Sequence, residues 1–346
     1  MVVVNRVSRV VLLLMCLVIS TLVFSAPAVA QMDHSQHEMG NHQMSPEMLK
    51  VMRERIPKYQ ESTDQQIALE MQMMGPNQMR YLSDPSLHAE TGLLVLIHGF
   101  GETGDRIMTE AVAPMAKIFP TAMAGGMSMM GSDHIQKALD AITKAGAKTI
   151  VVVPMASSTD NTLIYQWQYI FGLREHGGFY DVPRVKTDAK IIMADPPAGH
   201  PMITRIILDH AKEISKDPAN EVLFVIAHGP VHEKENRMQL ERMEKQARQI
   251  KELGGFSKVV PVTLQDDAKR AVRAKNVENL RHMIEQAQAD GKRVLIVTDL
   301  LAARSIQWKI DRDLDGLDYE FSVKGISQHP DFVRWFREDV MDALSR

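Results

Sequence analysis

Two histidines are set apart by the residues around them. His98 closes the apolar run Leu93-Leu94-Val95-Leu96-Ile97 and is followed by Gly99. His228 closes Val222-Leu223-Phe224-Val225-Ile226-Ala227 and is followed by Gly229. An apolar run of this length, ended by glycine, reads as a strand buried on both faces, the kind found in parallel sheets. Each imidazole then sits at the carboxyl end of its strand, where open α/β sheets bind ligands. A neutral imidazole at that edge can ligate a metal ion or take up a proton near pH 7. A different set of ligands lies near the start of the chain. Residues 31–44 read QMDHSQHEMGNHQM and place His34, His37 and His42 among Met32, Met39 and Met44. Thioether with imidazole suits Cu(I) or Ag(I), and imidazole alone suits borderline divalent ions.

The elements that position the two edge histidines come in a repeating order. After His98-Gly99 the pattern predicts a helix near Thr109–Phe119, an indistinct strand within Pro120–Met130, a helix capped by Ser132-Asp133, and the strand Thr149–Pro154. The strand Lys190–Met193 then leads to His200-Pro201 and a helix from Met202 to Ile214. The order begins again at Glu221. A long charged helix from Glu233 to Leu253, read as a solvated face, precedes the strand Lys258–Val262. A helix over Val277–Ala289, the strand Arg293–Val297, a helix over Arg304–Asp311 and the strand Tyr319–Val323 follow, ending at His329-Pro330. His98 and His228 are 130 positions apart, and His200 and His329 are 129 apart. Matching offsets at both ends indicate a duplicated unit. Strands alternating with helices imply a mostly parallel, doubly wound sheet in each copy, with a ligand cleft between the two. His200 and His329 precede proline and are expected to shape the turn before a helix. His88, His176, His210 and His282 are expected at the surface or in packing.

The chain has 346 residues, of which 45% are apolar, enough for a sizeable core. Its net charge of −3 shows no basic excess and argues against a nucleic-acid partner. Arg6 and Arg9, an apolar stretch from Val10 to Phe24 and the small-residue site Ala28-Val29-Ala30 read as a secretory signal peptide. The expected organisation is a signal peptide over 1–30, a His/Met-rich tail over 31–45, a helical arm and linker over 46–91, and α/β units over 92–215 and 216–346. Cleavage leaves no membrane anchor and places the protein in the periplasm or outside the cell. Cys16, the single cysteine, leaves with the signal, so metal sites must use histidine, methionine or oxygen ligands. Met71, Met73, Met74 and Met79 of the arm are read as packing residues.

The segments LLVLIHGFGE, TIVVVPMASS, ADPPAGHP, VLFVIAHGP and SVKGISQHP, in this order and duplicated, resemble the class II tetrapyrrole chelatases, most nearly the sirohydrochlorin cobaltochelatase group. The resemblance covers Gly92 to the C-terminus. It implies insertion of a divalent ion, cobalt first and nickel or iron as alternatives, into a tetrapyrrole such as sirohydrochlorin. It implies that His98 and His228 act as metal ligands and bases, assisted by Glu102 or Glu233, with Ser157 and Ser158 on the tetrapyrrole. The sequence departs from the family on one point. The second histidine expected after the Val-Val-Val-Pro strand is missing from both Met155–Asp160 and Thr298–Ala302. Cooperation of His98 with His228 across the cleft, or substitution by Asp160 or His134, would supply it. Two other readings remain open. One is a non-catalytic periplasmic metal or tetrapyrrole carrier. The other is an α/β-hydrolase with Ser128 in Gly126-Met127-Ser128-Met129-Met130, a segment short of the second glycine of a nucleophile elbow. Oligomeric state is not specified by any of these features.

Overall fold

The computed structural model describes residues 45–346 apart from Gly75, Met127, Met130, Ala303 and Arg304. The expected signal segment and the tail with His34, His37 and His42 lie outside the described residues. The first sheet contains β1 (Gln78–Tyr81), β2 (Thr91–Ile97), β3 (Thr121–Gly125), β4 (Thr149–Pro154) and β5 (Lys190–Met193), in the order β1-β3-β2-β4-β5. The second contains β6 (Glu221–Ala227), β7 (Lys258–Thr263), β8 (Arg293–Thr298) and β9 (Glu320–Phe321), in the order β7-β6-β8-β9. Without β1 the two orders are the same, and every one of those pairings is parallel. Leu93 pairs with Thr121 and Val151, as Leu223 pairs with Val259 and Leu295. The chain is therefore a duplicated α/β fold.

The two central strands are apolar throughout because both of their faces are covered. Leu93, Val95 and Ile97 enter one core, and Leu94 and Leu96 enter another. Leu223, Val225 and Ala227 join that first core, while Val222, Phe224 and Ile226 fill a third. Two helices make the shared core continuous by crossing over. The helix α6 (Pro201–Ile214), which follows β5, packs on β8 and on α7 (Glu233–Gly254) of the second unit. The last helix, α10 (Pro330–Ser345), packs on β4, β5 and α3 (Gly101–Ala116) of the first. Both begin at the expected His-Pro pairs. Nδ1 of His200 accepts from Met202 N and Nδ1 of His329 from Asp331 N, each at 3.2 Å, with proline at the first helical position. Of the four histidines expected at the surface or in packing, His88, His176 and His282 are exposed and His210 is buried beside His329.

The arm differs from a simple helical segment. It forms α1 (Pro46–Arg55), a 3-10 turn over Pro57–Glu61 and α2 (Asp64–Met74), then adds β1 antiparallel to β3. Met52, Ile56, Tyr59 and Ile67 bury themselves in the outer core of the first unit, and Met71 and Met79 pack against it. Three helices start earlier than periodicity indicates or escape it. The helix α3 begins at Gly101, directly after the His-Gly turn, and α8 (Arg270–Ala289) begins seven residues before Val277. The aromatic stretch after β4 forms α5 (Thr162–Ile170), capped by Asn161. The helices α4 (Asp133–Lys144) and α9 (Ser305–Asp313) lie close to expectation. Among the described residues no helix is long and apolar enough to cross a membrane.

Candidate functional site

His98 and His228 come together. The two imidazoles lie within electrostatic reach of each other, and His98 is also within reach of Asp267 and Asp105. The turn geometry explains how each ring is held. Gly99 and Gly229 adopt φ of 88° and 80°, a region open to glycine. Each glycine thereby turns its carbonyl back toward the preceding imidazole. Nδ1 of His228 donates to the Gly229 carbonyl at 2.9 Å, and His98 makes the same kind of bond to Gly99. With Nδ1 used as a donor, Nε2 is the ring nitrogen left to meet another partner. Nε2 of His228 faces Asp267 Oδ2 at 3.5 Å.

Each partner is fixed from behind. Asp105, buried at the start of the second turn of α3, accepts from Phe100 N at 2.7 Å and from Gln78 Nε2 at 3.0 Å, which orders the loop after His98. The Phe100 ring stands edge-on to the His98 ring, with centroids 4.5 Å apart. Asp267 lies on the loop after β7, where Gln265 holds a strained φ of 51° and donates through Nε2 to the Pro230 carbonyl at 3.1 Å. Next to it Asp266 is buried between Arg273 and Lys309, each at 2.7 Å. Burial raises the Asp266 carboxyl, but His228, Lys309 and Arg273 outweigh burial and bring it to about 2. Burial likewise raises Asp267, and His228 with Lys58 pulls it below the ordinary carboxylate range. Burial lowers His98, and the neighbouring His228 lowers it further, so its imidazole is neutral at pH 7.

A polar seam continues from these histidines along α7. That helix presents solvated Lys and Glu on one side only. Its other side turns Asn236 and Gln239 inward, where Oδ1 of Asn236 and Oε1 of Gln239 have no hydrogen-bond partner. Opposite them is the loop after β4. Gln239 Nε2 donates to the Ser157 carbonyl at 3.4 Å, and Arg242 reaches Thr159 Oγ1 and, at 3.3 Å, Asp160 Oδ2. Asp299, on the equivalent loop after β8, is buried with Oδ1 unpartnered. Burial raises its carboxyl to about 7, with Arg242 opposing.

The expected site residues divide accordingly. His98 and His228 meet. Ser157 contributes its carbonyl to the seam, and Ser158 is buried in its own turn, bonded to Asp160. Glu102 is exposed in the first turn of α3, and Glu233 pairs with Arg237 at the surface. The carboxylate that approaches the His228 imidazole is instead Asp267, which neither spacing nor strand position singled out. A proximity to His228 created by the β6–β7 pairing has no signature in the sequence. Asp160 is taken up by Arg242, and His134 by Ser128, whose Oγ is 3.2 Å from His134 Nε2. Ser128 does lie between β3 and α4 with φ of 54°. Both members of that pair are buried, and His134 Nδ1 has no partner to orient it, unlike the histidine of a hydrolase triad.

Among solved structures, the chain is similar to SirB from Bacillus subtilis with Fe3+, with a TM-score of 0.55 and 17% identity, over 74% of this chain and 96% of that one. The fold is that of the sirohydrochlorin chelatases. A second likeness is to the sirohydrochlorin chelatase SirB from Bacillus subtilis subspecies spizizenii in complex with cobalt, with a TM-score of 0.51 and 14% identity, over 74% and 95% of the two chains. No protein-family model matches the sequence, and no curated protein matches it. The chelatase fold accounts for the paired sheets, and the loops at their carboxyl edges carry every residue described above as facing the seam, apart from those on α7.

Proposed function

We propose that this protein inserts a divalent metal ion into a tetrapyrrole at the paired sheet edges, with His228 and Asp267 as the groups that receive the ion and His98 beside them as a proton acceptor. The observation that carries the reading is the 3.5 Å separation of His228 Nε2 and Asp267 Oδ2, with Nδ1 already bonded elsewhere. Two ligands on one tetrahedral ion with bonds of about 2.1 Å stand roughly 3.4 Å apart. Among the described residues no group of three or more His, Cys, Asp or Glu is placed to hold a metal ion, so His228 and Asp267 make a two-ligand seat. An ion in this seat keeps open positions for the macrocycle nitrogens.

Insertion breaks two pyrrole N–H bonds, forms the metal–nitrogen bonds and releases two protons. His98 is neutral at pH 7 and can take one. Asp299, with its carboxyl near 7, is a second group able to hold a proton under the same conditions. The unpartnered amide oxygens of Asn236 and Gln239 lie along the seam, beside Ser157 and Ser158. Imidazole with carboxylate suits cobalt, nickel and iron alike, and cobalt comes first only from the family resemblance. We read residues 1–30 as an export signal to the periplasm and residues 31–44 as a capture segment for copper or silver, or for the ion delivered to the seat.

One observation favours a second reading. Neither edge loop after β4 or β8 carries a histidine, which fits a carrier that binds a metal or a tetrapyrrole without joining them. Incubating the purified protein with sirohydrochlorin and Co2+, Ni2+ or Fe2+, with and without residues 31–44, separates the two. Insertion faster than the uncatalysed background supports the chelatase. Tight stoichiometric binding with no acceleration rejects it in favour of the carrier.

A further inference from the structure

Asp267 is held from behind by charges that belong to the arm. Lys58 Nζ lies 2.9 Å from Asp267 Oδ1 and 2.9 Å from Glu70 Oε2. Lys58 is in the 3-10 turn over Pro57–Glu61, and Glu70 is in α2. The backbone fixes this docking. Lys58 N donates to the Asp267 carbonyl at 3.4 Å, and Glu61 Oε2 accepts from Arg270 N at 3.3 Å. Tyr59 is buried in the outer core of the first unit, so the turn is anchored on one unit while Lys58 reaches the other. The two oxygens of Asp267 thus serve different partners: Oδ1 faces the ammonium and Oδ2 faces His228.

We propose that Lys58 and Glu70 are positioning residues that set how tightly the His228–Asp267 seat holds its ion, Lys58 loosening the hold and Glu70 strengthening it. This rests on the seat taking a divalent cation, as proposed above. The ammonium lies one carboxylate away from any ion on Oδ2. Even at the dielectric of water, a unit charge about 5 Å from a divalent ion changes its affinity by roughly tenfold. Lys58 also draws electron density from the carboxylate that ligates the ion. Glu70 acts in the opposite sense, because it offsets the ammonium and adds negative charge of its own. All three side chains are partly buried, so salt screens these effects incompletely. A seat that must hand its ion to a macrocycle works better with a weakened hold than with the tightest one its ligands allow. The arm supplies that weakening from a segment that precedes the duplicated strands.

The test is a Co2+ titration of the full chain followed by visible absorption. A His98→Ala, His228→Ala double variant reports ions bound elsewhere, the N-terminal segment included. Lys58→Met should tighten site binding roughly tenfold or more, Glu70→Gln should loosen it several-fold, and Lys58→Arg should stay near wild type. A purely structural role predicts that Lys58→Met and Glu70→Gln both loosen binding as the fold weakens. Binding by Lys58→Met that is equal to or weaker than wild type overturns the proposal. If Lys58→Met does not fold, unchanged or tighter binding by Glu70→Gln overturns it equally. Wild-type binding no greater than that of the double variant overturns the seat itself, and this inference with it.

Discussion

Asp267 Oδ2 stands 3.5 Å from His228 Nε2, while Nδ1 of the same ring is bonded to the Gly229 carbonyl. The ring therefore presents Nε2 to a carboxylate. A proton on Nε2 or a metal cation between them would join the two groups. Replacing Asp267 with Asn keeps the shape and removes the charge. Asp267→Asn is expected to lower Co2+ affinity at the site at least tenfold, by roughly the weight of a lost charged ligand. Isothermal titration showing wild-type affinity would remove Asp267 from the site.

The His-Gly turn sets the tautomer, and the glycine is the part that cannot be replaced cheaply. A Cβ at Gly229 would stand 2.7 Å from Thr263 Cβ, on a residue with φ of 80°. Gly229→Ala should cost about 1–3 kcal/mol of stability and move His228 off the Gly229 carbonyl. Thermal unfolding measures the first effect. The second is read from the histidine ring resonances by NMR, which should lose the wild-type tautomer.

Asp299 gives the fold a defined pH dependence. Its carboxyl lies near 7 in the folded chain, against an ordinary value of 3.8. Between these values the folded state binds more protons than the unfolded state, so stability falls as pH rises from about 4 to 7 and stays lower above that. His134 and His210, both lowered to about 4 chiefly by burial, produce the opposite slope between 4 and 6.5. The informative quantity is therefore the difference between Asp299→Asn and wild type. The variant should match wild type near pH 4 and exceed it by up to a few kcal/mol at pH 8. Denaturant unfolding at the two pH values checks the sign.

Much of the fold was legible because its signals are local. The runs ending at His98 and His228 are apolar on both faces, so their burial and parallel pairing follow from composition alone. The His-Pro pairs mark the starts of α6 and α10 for a local reason, since imidazole caps and proline opens the helix. The strand β3 is faint because Thr-Ala-Met-Ala-Gly lacks β-branched bulk, yet it occupies the place that Lys-Val-Val-Pro-Val-Thr fills as β7. Strand β1 hides in an arm whose residues otherwise favour helix. The approach of His98 to His228 was anticipated from the repeat. Asp267, Lys58 and Asp299 were not, because their roles arise from loops packed across a chain separation that no spacing rule encodes. The buried face of α7 was hidden for a related reason: Asn236 and Gln239 look like surface residues until a second loop covers them.

Ser128 and His134 invite a hydrolase reading that their burial argues against. Neither the hydroxyl nor the ring reaches solvent, and no carboxylate orients Nδ1. A fluorophosphonate probe should leave the native protein unlabelled, as judged by intact mass. A stoichiometric adduct on Ser128 would restore the hydrolase reading.

Under the proposed function the two sheet edges form one metal-handling site. The most direct measurement is the rate of Co2+ insertion into sirohydrochlorin, followed by absorbance, for wild type, His98→Ala and His228→Ala. Circular dichroism confirms that each variant is folded. The site described here predicts insertion above background for wild type and a loss of at least a hundredfold in each single variant, because neither edge suffices alone. Full activity in either folded variant would contradict a shared site, and wild-type insertion no faster than background would contradict the chelatase itself.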